Sequence, residues 1–219
     1  YGNYAEENGG AFYLRSSDPI TLTNNTIYQN TADKTGGGIY LYLCPALLSD
    51  NDVLTNTATE GGGGIVVQSS AATLEENEIR NNSAQTGGGL YLTGSPAHLT
   101  DNDITANTAS QHGGGVTIIA SPADLYTNTI TGNTASHSGG GIYVSGETPA
   151  IKGNSIISNT ATFDGGGGYF SASSALVMSN TWSGNLASYG GGLSLSEASV
   201  SLIGNSVVSN TASTYGGGV

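Results

Sequence analysis

The chain has 219 residues, of which 35 are glycine and only 9% are charged, whereas about a quarter of the residues in an ordinary soluble domain are charged. The formal net charge is −12, and the four cations are Arg15, Lys34, Arg80 and Lys152. Four dispersed cations cannot neutralise a run of phosphates. The composition therefore argues against nucleic acid and against an anionic membrane surface as partners.

The cysteine content and the hydropathy exclude further classes of protein. The single Cys44 cannot form a disulfide within the chain and has no cysteine partners for a zinc site. No apolar run reaches the ~20 residues of a membrane-spanning helix, so we predict no direct membrane insertion by this segment. The chain opens and closes in the middle of a repeat. We therefore expect residues 1–219 to be a single domain that is a fragment of a longer repeat protein.

Internal repetition organises the whole chain. An Asn-x-apolar-x-x-Asn segment recurs, and a glycine run follows each copy. The asparagine pairs are Asn25/Asn30, Asn51/Asn56, Asn77/Asn82, Asn102/Asn107, Asn128/Asn133, Asn154/Asn159, Asn180/Asn185 and Asn205/Asn210. The aligned glycines lie 25 or 26 residues apart, at Gly38, Gly64, Gly89, Gly115, Gly141, Gly167, Gly192 and Gly218.

Each repeat contains three short predicted strands. The first follows the glycines, as at Ile39, Tyr40 and Leu41, where side chains alternate between inward and outward positions. The second precedes the first asparagine, and the third is the Asn-x-apolar-x-x-Asn segment itself. The alanine after that segment, Ala32 for example, adds a small inward residue.

Stacking of these units predicts an all-β fold, a right-handed parallel β-helix (solenoid). It should have about eight coils of ~26 residues, three short strands per coil and a length of roughly 40 Å. Glycine permits positive φ at the corners, whereas asparagine tolerates the left-handed region and can bond to its equivalent in the next coil. The interior should contain one buried column formed by Leu22, Leu48, Leu74, Leu99, Leu125, Ile151, Val177 and Leu202.

A family resemblance supports this fold. The unit Asn-Thr-Ala-x-x-x-Gly-Gly-Gly-Ile-Tyr, found at Asn30 to Tyr40 and at Asn133 to Tyr143, resembles the repeats of polymorphic outer-membrane-protein-type surface proteins. Similar units occur in other large bacterial right-handed β-helix proteins. The resemblance extends over all coils and implies a surface-exposed passenger or adhesin.

Acidic residues flank the first asparagine in three neighbouring coils. Like charges at coil spacing repel, and a hard cation such as Ca²⁺ would relieve the repulsion. A solvated acidic surface that keeps the rod soluble explains the same pattern, and we favour that interpretation. Ca²⁺ is the only cofactor that the sequence suggests, and its candidate ligands are Asp50, Asp52, Glu76, Glu78, Asp101 and Asp103.

An enzyme is an alternative, because pectate lyases and polygalacturonases are parallel β-helices. Their chemistry needs an acid, a base and a charge stabiliser that converge on one point. No basic residue shares the register of the acidic columns, so we predict no catalytic residues. His112 and His137 lie in loops of neighbouring coils, but their registers differ by one position, and His98 stands alone on an outward position.

The outward position just past the glycines is most often tyrosine. Tyrosine presents a rigid amphipathic ring that suits protein contacts or stacking on sugars, although strand propensity explains the pattern equally well. We expect these rings to be more than a third exposed. Rings two coils apart should be separated by about 10 Å, comparable to the length of a disaccharide. The candidate binding residues are Tyr13, Tyr40, Tyr91, Tyr143 and Tyr169, with Tyr42 beside the column.

Hydroxyl columns follow the second asparagine of each repeat. Regular columns on a flat surface are what ice-binding β-solenoids use, although a threonine beside a turn also caps that turn. Leu186 interrupts the column. The candidate ice-binding residues are Thr31, Thr57, Thr59, Thr108, Thr134, Thr160, Thr162 and Thr211.

The sequence thus favours a non-enzymatic, extracellular or cell-surface solenoid that acts as an adhesin, an envelope element or a glycan-contact surface. Its expected partners are a glycan or a protein at the cell surface, and it should self-associate, if at all, through the solenoid ends or the tyrosines. An ice-binding solenoid and a carbohydrate-active enzyme of the polysaccharide lyase or hydrolase type are the alternatives.

Overall fold

The computed structural model describes residues 1–16 and 18–219. These residues form 33 strands that pair only in parallel, in four sheets that we name A to D. None of the described residues belongs to a helix that could cross a membrane. The chain runs through one strand each of sheets B, C, D and A and then begins the next coil, so that each sheet adds one strand per coil.

In each coil the glycine corner leads into a strand of sheet B, and a turn then leads into a strand of sheet C. The strands of sheet B are β2 (Phe12–Leu14), β6 (Ile39–Tyr42), β10 (Ile65–Gln68), β14 (Leu90–Thr93), β18 (Val116–Ile119), β22 (Ile142–Ser145), β26 (Gly168–Ser171) and β30 (Leu193–Ser196). Sheet C contains β3 (Ile20–Thr23), β7 (Ala46–Ser49), β11 (Ala72–Glu75), β15 (His98–Thr100), β19 (Asp124–Tyr126), β23 (Ala150–Lys152), β27 (Leu176–Met178) and β31 (Ser201–Ile203).

Sheets D and A follow the first and the second asparagine of each repeat. Sheet D contains β4 (Thr26–Tyr28), β8 (Asp52–Leu54), β12 (Glu78–Arg80), β16 (Asp103–Thr105), β20 (Thr129–Thr131), β24 (Ser155–Ile157), β28 (Thr181–Ser183) and β32 (Ser206–Val208). The strands of sheet A are β1 (Tyr4–Ala5), β5 (Thr31–Ala32), β9 (Thr57–Ala58), β13 (Ser83–Thr86), β17 (Thr108–His112), β21 (Thr134–Ala135), β25 (Thr160–Ala161), β29 (Leu186–Tyr189) and β33 (Thr211–Tyr215).

The predicted right-handed parallel β-helix of about eight coils is confirmed. Most coils carry four strands where three were expected, because the segment around the alanine pairs from coil to coil and forms sheet A. The predicted interior column is fully buried from Leu48 to Val177. Leu22 is half-buried and Leu202 is 41% exposed, because their strands lie at the two ends of sheet C and have a neighbouring strand on one side only.

Two ladders of buried asparagines run along the rod at the turns that precede sheets D and A. Asn133 illustrates the pattern. Its backbone N–H and its Nδ2 both donate to Oδ1 of Asn159 in the next coil, at 2.9 and 3.0 Å. Its Nδ2 also donates to the carbonyl oxygen of Ile104 at 2.8 Å, and its own Oδ1 accepts two bonds from Asn107. Every polar atom of the side chain is therefore satisfied without water.

The ladder asparagines do not adopt the left-handed conformation that the sequence suggested for them. Positive φ falls instead on the residue just before each ladder position, for example Asp50 (φ 54°), Glu76 (φ 55°) and Asp101 (φ 55°). The turn thus places its strain on a solvent-facing residue and leaves the asparagine in position to bond inward. The sequence located the turn correctly but assigned its strained residue to the wrong position.

The glycine runs are required by close backbone contacts. The first glycine of each trio takes positive φ, as at Gly113 (φ 64°). A Cβ on the second glycine, Gly114, would lie 2.5 Å from the carbonyl oxygens of both Gly140 and Thr134, which is closer than carbon and oxygen atoms can approach. The backbone of one coil therefore passes directly over that of the next at this corner.

In one coil of the core, a larger inward residue on sheet D compensates for a smaller one on sheet B. Sheet D places an aliphatic residue inward in most coils but Trp182 in β28, whereas sheet B places Gly168 inward in β26 where Ile142 stands one coil earlier. A Cβ on Gly168 would lie 2.8 Å from Cζ3 of Trp182. The indole therefore fills the space that the glycine leaves, and its Nε1 is buried without a hydrogen-bond partner.

The ladders should dominate local stability. Replacing Asn133 with Ala removes the acceptor of two bonds from Asn107 and the Nδ2 donor to the carbonyl of Ile104, and each buried group left unsatisfied costs about 1–3 kcal/mol. We expect a clear drop in the urea midpoint of unfolding. Thr134→Ala, one residue away and exposed, is the control and should change stability by less than about 0.5 kcal/mol. Equal stability of the two variants would contradict a role for the ladder.

Because Trp182 fills the space beside Gly168, we predict that the effects of substitutions at these two positions on stability are not additive. Trp182→Ile alone should open a cavity, at a cost of about 2–5 kcal/mol. Gly168→Ile alone should clash with the indole, at a cost of about 1–3 kcal/mol. The double variant reproduces the Ile142 and Ile156 pairing of the preceding coil, so its stability should approach that of the original chain. Additive losses in urea unfolding would show that the two positions do not share one space.

Candidate functional site

Five of the six predicted tyrosines lie in one line along the outer surface of sheet B, whereas Tyr42 lies two residues further along β6. We call this line, formed by the second residue of each sheet B strand, the tyrosine row. Because the strands pair in register, these residues stack from coil to coil. The row reads Tyr13, Tyr40, Val66, Tyr91, Thr117, Tyr143, Tyr169 and Ser194.

The expected exposure is wrong for Tyr40, which is only 8% exposed, and it is not confirmed for Tyr91, Tyr143 and Tyr169, which are half-buried. The Tyr40 ring is stacked against Tyr13 and Tyr42, with centroids 5.4 and 6.4 Å away, and its hydroxyl donates to Oε1 of Gln68 at 2.6 Å. Tyr13 is 51% exposed. Tyr42, Tyr91, Tyr143 and Tyr169 are half-buried, because the rings lie against neighbouring side chains. Burial raises the pKa of Tyr40, Tyr91 and Tyr143.

The row contains two stacked pairs with a single ring between them. Tyr13 and Tyr40 have nearly parallel rings, as do Tyr143 and Tyr169, whose centroids are 5.5 Å apart. Tyr91 is separated from each pair by a coil with a smaller residue, Val66 on one side and Thr117 on the other. Ring surfaces therefore recur along the row about every two coils, near 10 Å.

A second aromatic cluster lies at the corner between sheets A and B, beside the row. The ring of His112 is 4.7 Å from that of Tyr143 and 4.9 Å from that of His137, which in turn lies 4.9 Å from Phe163. The registers of His112 and His137, which differ by one position in the repeat, did not predict this packing. The available signal was the recurrence of large rings at the last two residues before successive glycine trios.

An open groove lies where this corner meets the tyrosine row. Its volume is about 210 Å³, and one wall is the ring of Tyr91. The repeat pattern did not predict the groove, because the groove depends on the absence of a side chain at one corner. The remaining lining residues are Thr35, Glu60, Gly61, Gln85, Thr86 and Ile119.

The acidic columns are divided between two environments. Asp52, Glu78 and Asp103 are in register on the outer surface of sheet D, whereas their partners at positions 50, 76 and 101 occupy the positive-φ turns. As expected, Arg80 does not share this register, since it pairs with Leu54 and Thr105. Its Nε nevertheless lies 3.0 Å from Oε1 of Glu78, because both side chains point outward from β12. The column is thus partly neutralised.

The described residues contain no group of three or more His, Cys, Asp or Glu side chains that could hold a metal ion. Ca²⁺ binding by the acidic columns is therefore not supported by their geometry and stays a prediction. His98 is not isolated as expected, since its Nδ1 lies 3.3 Å from Oδ2 of Asp124 in the next coil. This pair lies on sheet C, apart from the tyrosine row and the groove.

The hydroxyl columns lie on sheet A, but several of their groups already bond within the protein. Oγ1 of Thr57 is 3.2 Å from Oγ of Ser83, and the hydroxyl of Thr59 donates to the carbonyl oxygen of Asp33. Leu186 projects into the same column and is exposed. Hydroxyls that are engaged between coils are less available to ice, so ice binding stays a prediction that this geometry does not strengthen.

The soft metal donors are dispersed. Cys44 is fully buried at the turn between sheets B and C, where its backbone N–H donates to Oγ of Ser70, and burial raises the pKa of its thiol. The single methionine, Met178, lies on sheet C beside Lys152. Nδ1 of His137 is 2.8 Å from Oγ of Ser138, and Nδ1 of His112 is buried without a partner.

The half-buried imidazole of His112 predicts a pH dependence of stability. Burial, and secondly the neighbouring His137, lower its pKa below the ordinary 6.5. The unfolded chain therefore binds this proton first, and the free energy of unfolding should fall as the pH drops below about 6.5. His112→Thr should show a smaller loss of melting temperature between about pH 7.5 and pH 5.5. The control Thr134→Ala removes an exposed side chain that does not titrate and should keep the original dependence; a variant of His112 with that same dependence would contradict the assignment.

Comparison with known proteins gives one family. The family model described as "Periplasmic copper-binding protein (NosD)" matches residues 1–168 and again residues 97–218. No curated protein and no solved structure matches the chain. The donors described above do not fit copper, because within residues 1–16 and 18–219 no third ligand accompanies the pair His112 and His137. The matches extend over the whole solenoid, and the chain therefore belongs to the NosD family of envelope-associated β-helix proteins.

Proposed function

We propose that this chain is a non-enzymatic surface of the cell envelope that binds an extended neutral glycan along the tyrosine row. The observation that carries the proposal is the row itself: ring surfaces held rigidly by stacking, on one straight line, at intervals of about two coils. Aromatic rings bind sugars by packing against their apolar C–H faces, and a ring that is already immobilised loses little entropy on binding.

The charge of the chain favours a neutral ligand. Sixteen acids against four basic residues give a field that repels uronates and other polyanions. Two of the four cations are already paired, Lys34 with Glu7 and Arg80 with Glu78. Arg15 lies over the ring of Tyr42, 5.3 Å from its centroid, and so extends the row's own packing.

The straightness of the row favours an extended glycan over a compact one. A parallel β-helix cannot curve sharply within a few coils, since each strand repeats at the same spacing. A flat, β-1,4-linked chain of pyranose rings would place equivalent faces at regular intervals along that line. A surface of this kind suits adhesion to a glycan or anchoring within the envelope, and the periplasmic description of the family agrees with either role.

The arrangement of acids supports binding over catalysis. A glycoside hydrolase places two carboxyl groups on either side of the bond that it cleaves. Here the carboxylates nearest each other follow one another along sheet D or occupy turns, and the tyrosine row on sheet B contains no acid. The groove beside the row contains a single acidic side chain, Glu60.

The test is a calorimetric titration with cellohexaose, a neutral β-1,4-linked glycan. Tyr143→Ala combined with Tyr169→Ala removes one stacked pair and should weaken binding by about 1–3 kcal/mol, or about tenfold or more. The melting temperature must be measured in parallel, because both rings are half-buried.

The matched control is Tyr126→Ala, which removes a half-buried tyrosine that packs against Lys152 on sheet C. It should leave binding unchanged. Equal weakening by both variants would indicate a general loss of structure. If the unmodified chain shows no binding of cellohexaose, the proposed function is wrong, and capture of a protein by the same row becomes the alternative to pursue.

A further inference from the structure

In one coil, the corner position just before the glycine trio has no side chain. In register from coil to coil, this corner position is occupied by Thr35, Gly61, Thr86, His112 and Ser138, followed by Asp164 and Tyr189. Gly61 is the only one of these residues without a side chain, and its φ is not in the left-handed region. Backbone geometry therefore does not require a glycine there, in contrast to Gly62 (φ 62°) beside it.

The missing side chain opens the groove. A Cβ built on Gly61 would lie 3.5 Å from Cγ and 3.6 Å from Cδ1 of Tyr91, at ordinary van der Waals distance. Any larger side chain would extend past the Cβ along the Tyr91 ring and occupy the groove. The groove and the accessible side of that ring therefore both depend on Gly61.

The walls combine one aromatic surface with hydrogen-bonding groups. Tyr91 forms the aromatic wall, and burial of its ring raises the pKa of the phenol. The carboxylate of Glu60 and the amide of Gln85 are exposed at the rim, and the hydroxyls of Thr35 and Thr86 are half-buried beside Gly61. An apolar surface beside several hydroxyl, amide and carboxylate groups is the complement of a pyranose ring, which has an apolar face and a polar edge.

We infer that this groove is a subsite for a single neutral hexopyranose ring, with Tyr91 against the apolar face of the sugar and Glu60 and Gln85 bonding to its hydroxyls. The inference rests on the proposed function and assigns one unit of the glycan to one place on the row. The volume of about 210 Å³ is smaller than the ~300–1,000 Å³ of pockets for drug-sized ligands, which favours a single sugar ring over a longer segment.

The negative charge of Glu60 makes the subsite prefer a neutral sugar over an acidic one. Lys34, the nearest cation along this corner, is engaged with Glu7 at 2.7 Å between Nζ and Oε1. Lys34 therefore offsets the charge of Glu60 only in part, and a uronate would place its own carboxylate beside that of Glu60, where like charges repel. A neutral hexose avoids this repulsion, and its hydroxyls donate to the same oxygen atoms.

The decisive variant is Gly61→Thr, titrated with cellohexaose. Threonine is the residue of both neighbouring coils at this position, and the φ of Gly61 permits it, so the melting temperature should be unchanged or raised. Binding should nevertheless weaken about tenfold or more, because the threonine side chain fills the groove. Loss of binding in a variant that is no less stable cannot be attributed to unfolding.

Two further variants complete the test. Asp164→Thr makes the equivalent change at the same corner four coils away and should leave affinity unchanged. Glu60→Gln should still bind cellohexaose but should reduce the discrimination against hexagalacturonate. If Gly61→Thr binds as the unmodified chain does while the variant lacking Tyr143 and Tyr169 does not, the subsite is wrong and the proposed function stands. Absence of cellohexaose binding by the unmodified chain overturns both.

Discussion

The structure depends on the requirement that every buried amide be satisfied by the equivalent amide of an adjacent coil. An asparagine in a dry interior has two donors and an acceptor that takes two bonds, and none of these atoms has access to water. Only an identical residue at an identical position in the next coil offers the matching partner, as between Asn107, Asn133 and Asn159. The ladders thereby fix the register of all four sheets, and the narrow range of repeat lengths, 25 or 26 residues, follows from that register.

Because the interior is fixed in this way, the outer surface can vary from coil to coil without altering the fold. The second residue of the sheet B strands changes from tyrosine to valine, threonine and serine while the backbone pairing stays the same. Glycine at position 61 likewise leaves the bridges to Thr35 and Thr86 intact. Binding properties in such a molecule are determined by short series of outward side chains, each set by a single position in its own coil.

The fold could be predicted from the sequence because its determinants are periodic. The asparagines, glycines and alternating apolar residues recur at a fixed interval, and the inward column from Leu48 to Val177 follows directly from them. The fourth strand was not separated from its neighbour, because a strand as short as Thr31–Ala32 is defined by its pairing and carries almost no pattern of its own. The left-handed turn residue was misplaced for a similar reason, since Asp, Glu, Thr and Gly all occupy it in different coils.

The candidate site could be predicted only in part. The line of tyrosines follows from the repeat, but the burial of Tyr40 depends on the rings of Tyr13 and Tyr42 and on a hydrogen bond to a residue of the next coil. The pairing of Arg80 with Glu78 depends on side-chain reach along one strand. The groove at Gly61 depends on the absence of one side chain among several that are present. Such features occur where one coil departs from the repeat pattern, so the pattern shared by all coils does not predict them.

The asparagine ladders also give the rod an electrical direction. Each ladder asparagine donates from Nδ2 to Oδ1 of the following coil, and its own Oδ1 accepts from the preceding coil, so the bonds between asparagine side chains all run the same way along both ladders. Successive bonds of this kind polarise one another, as peptide dipoles do along a helix. The ladders are therefore polar from end to end. A ladder presents an Oδ1 acceptor at one end and a donor at the other, so two such rods can join their ladders only head to tail.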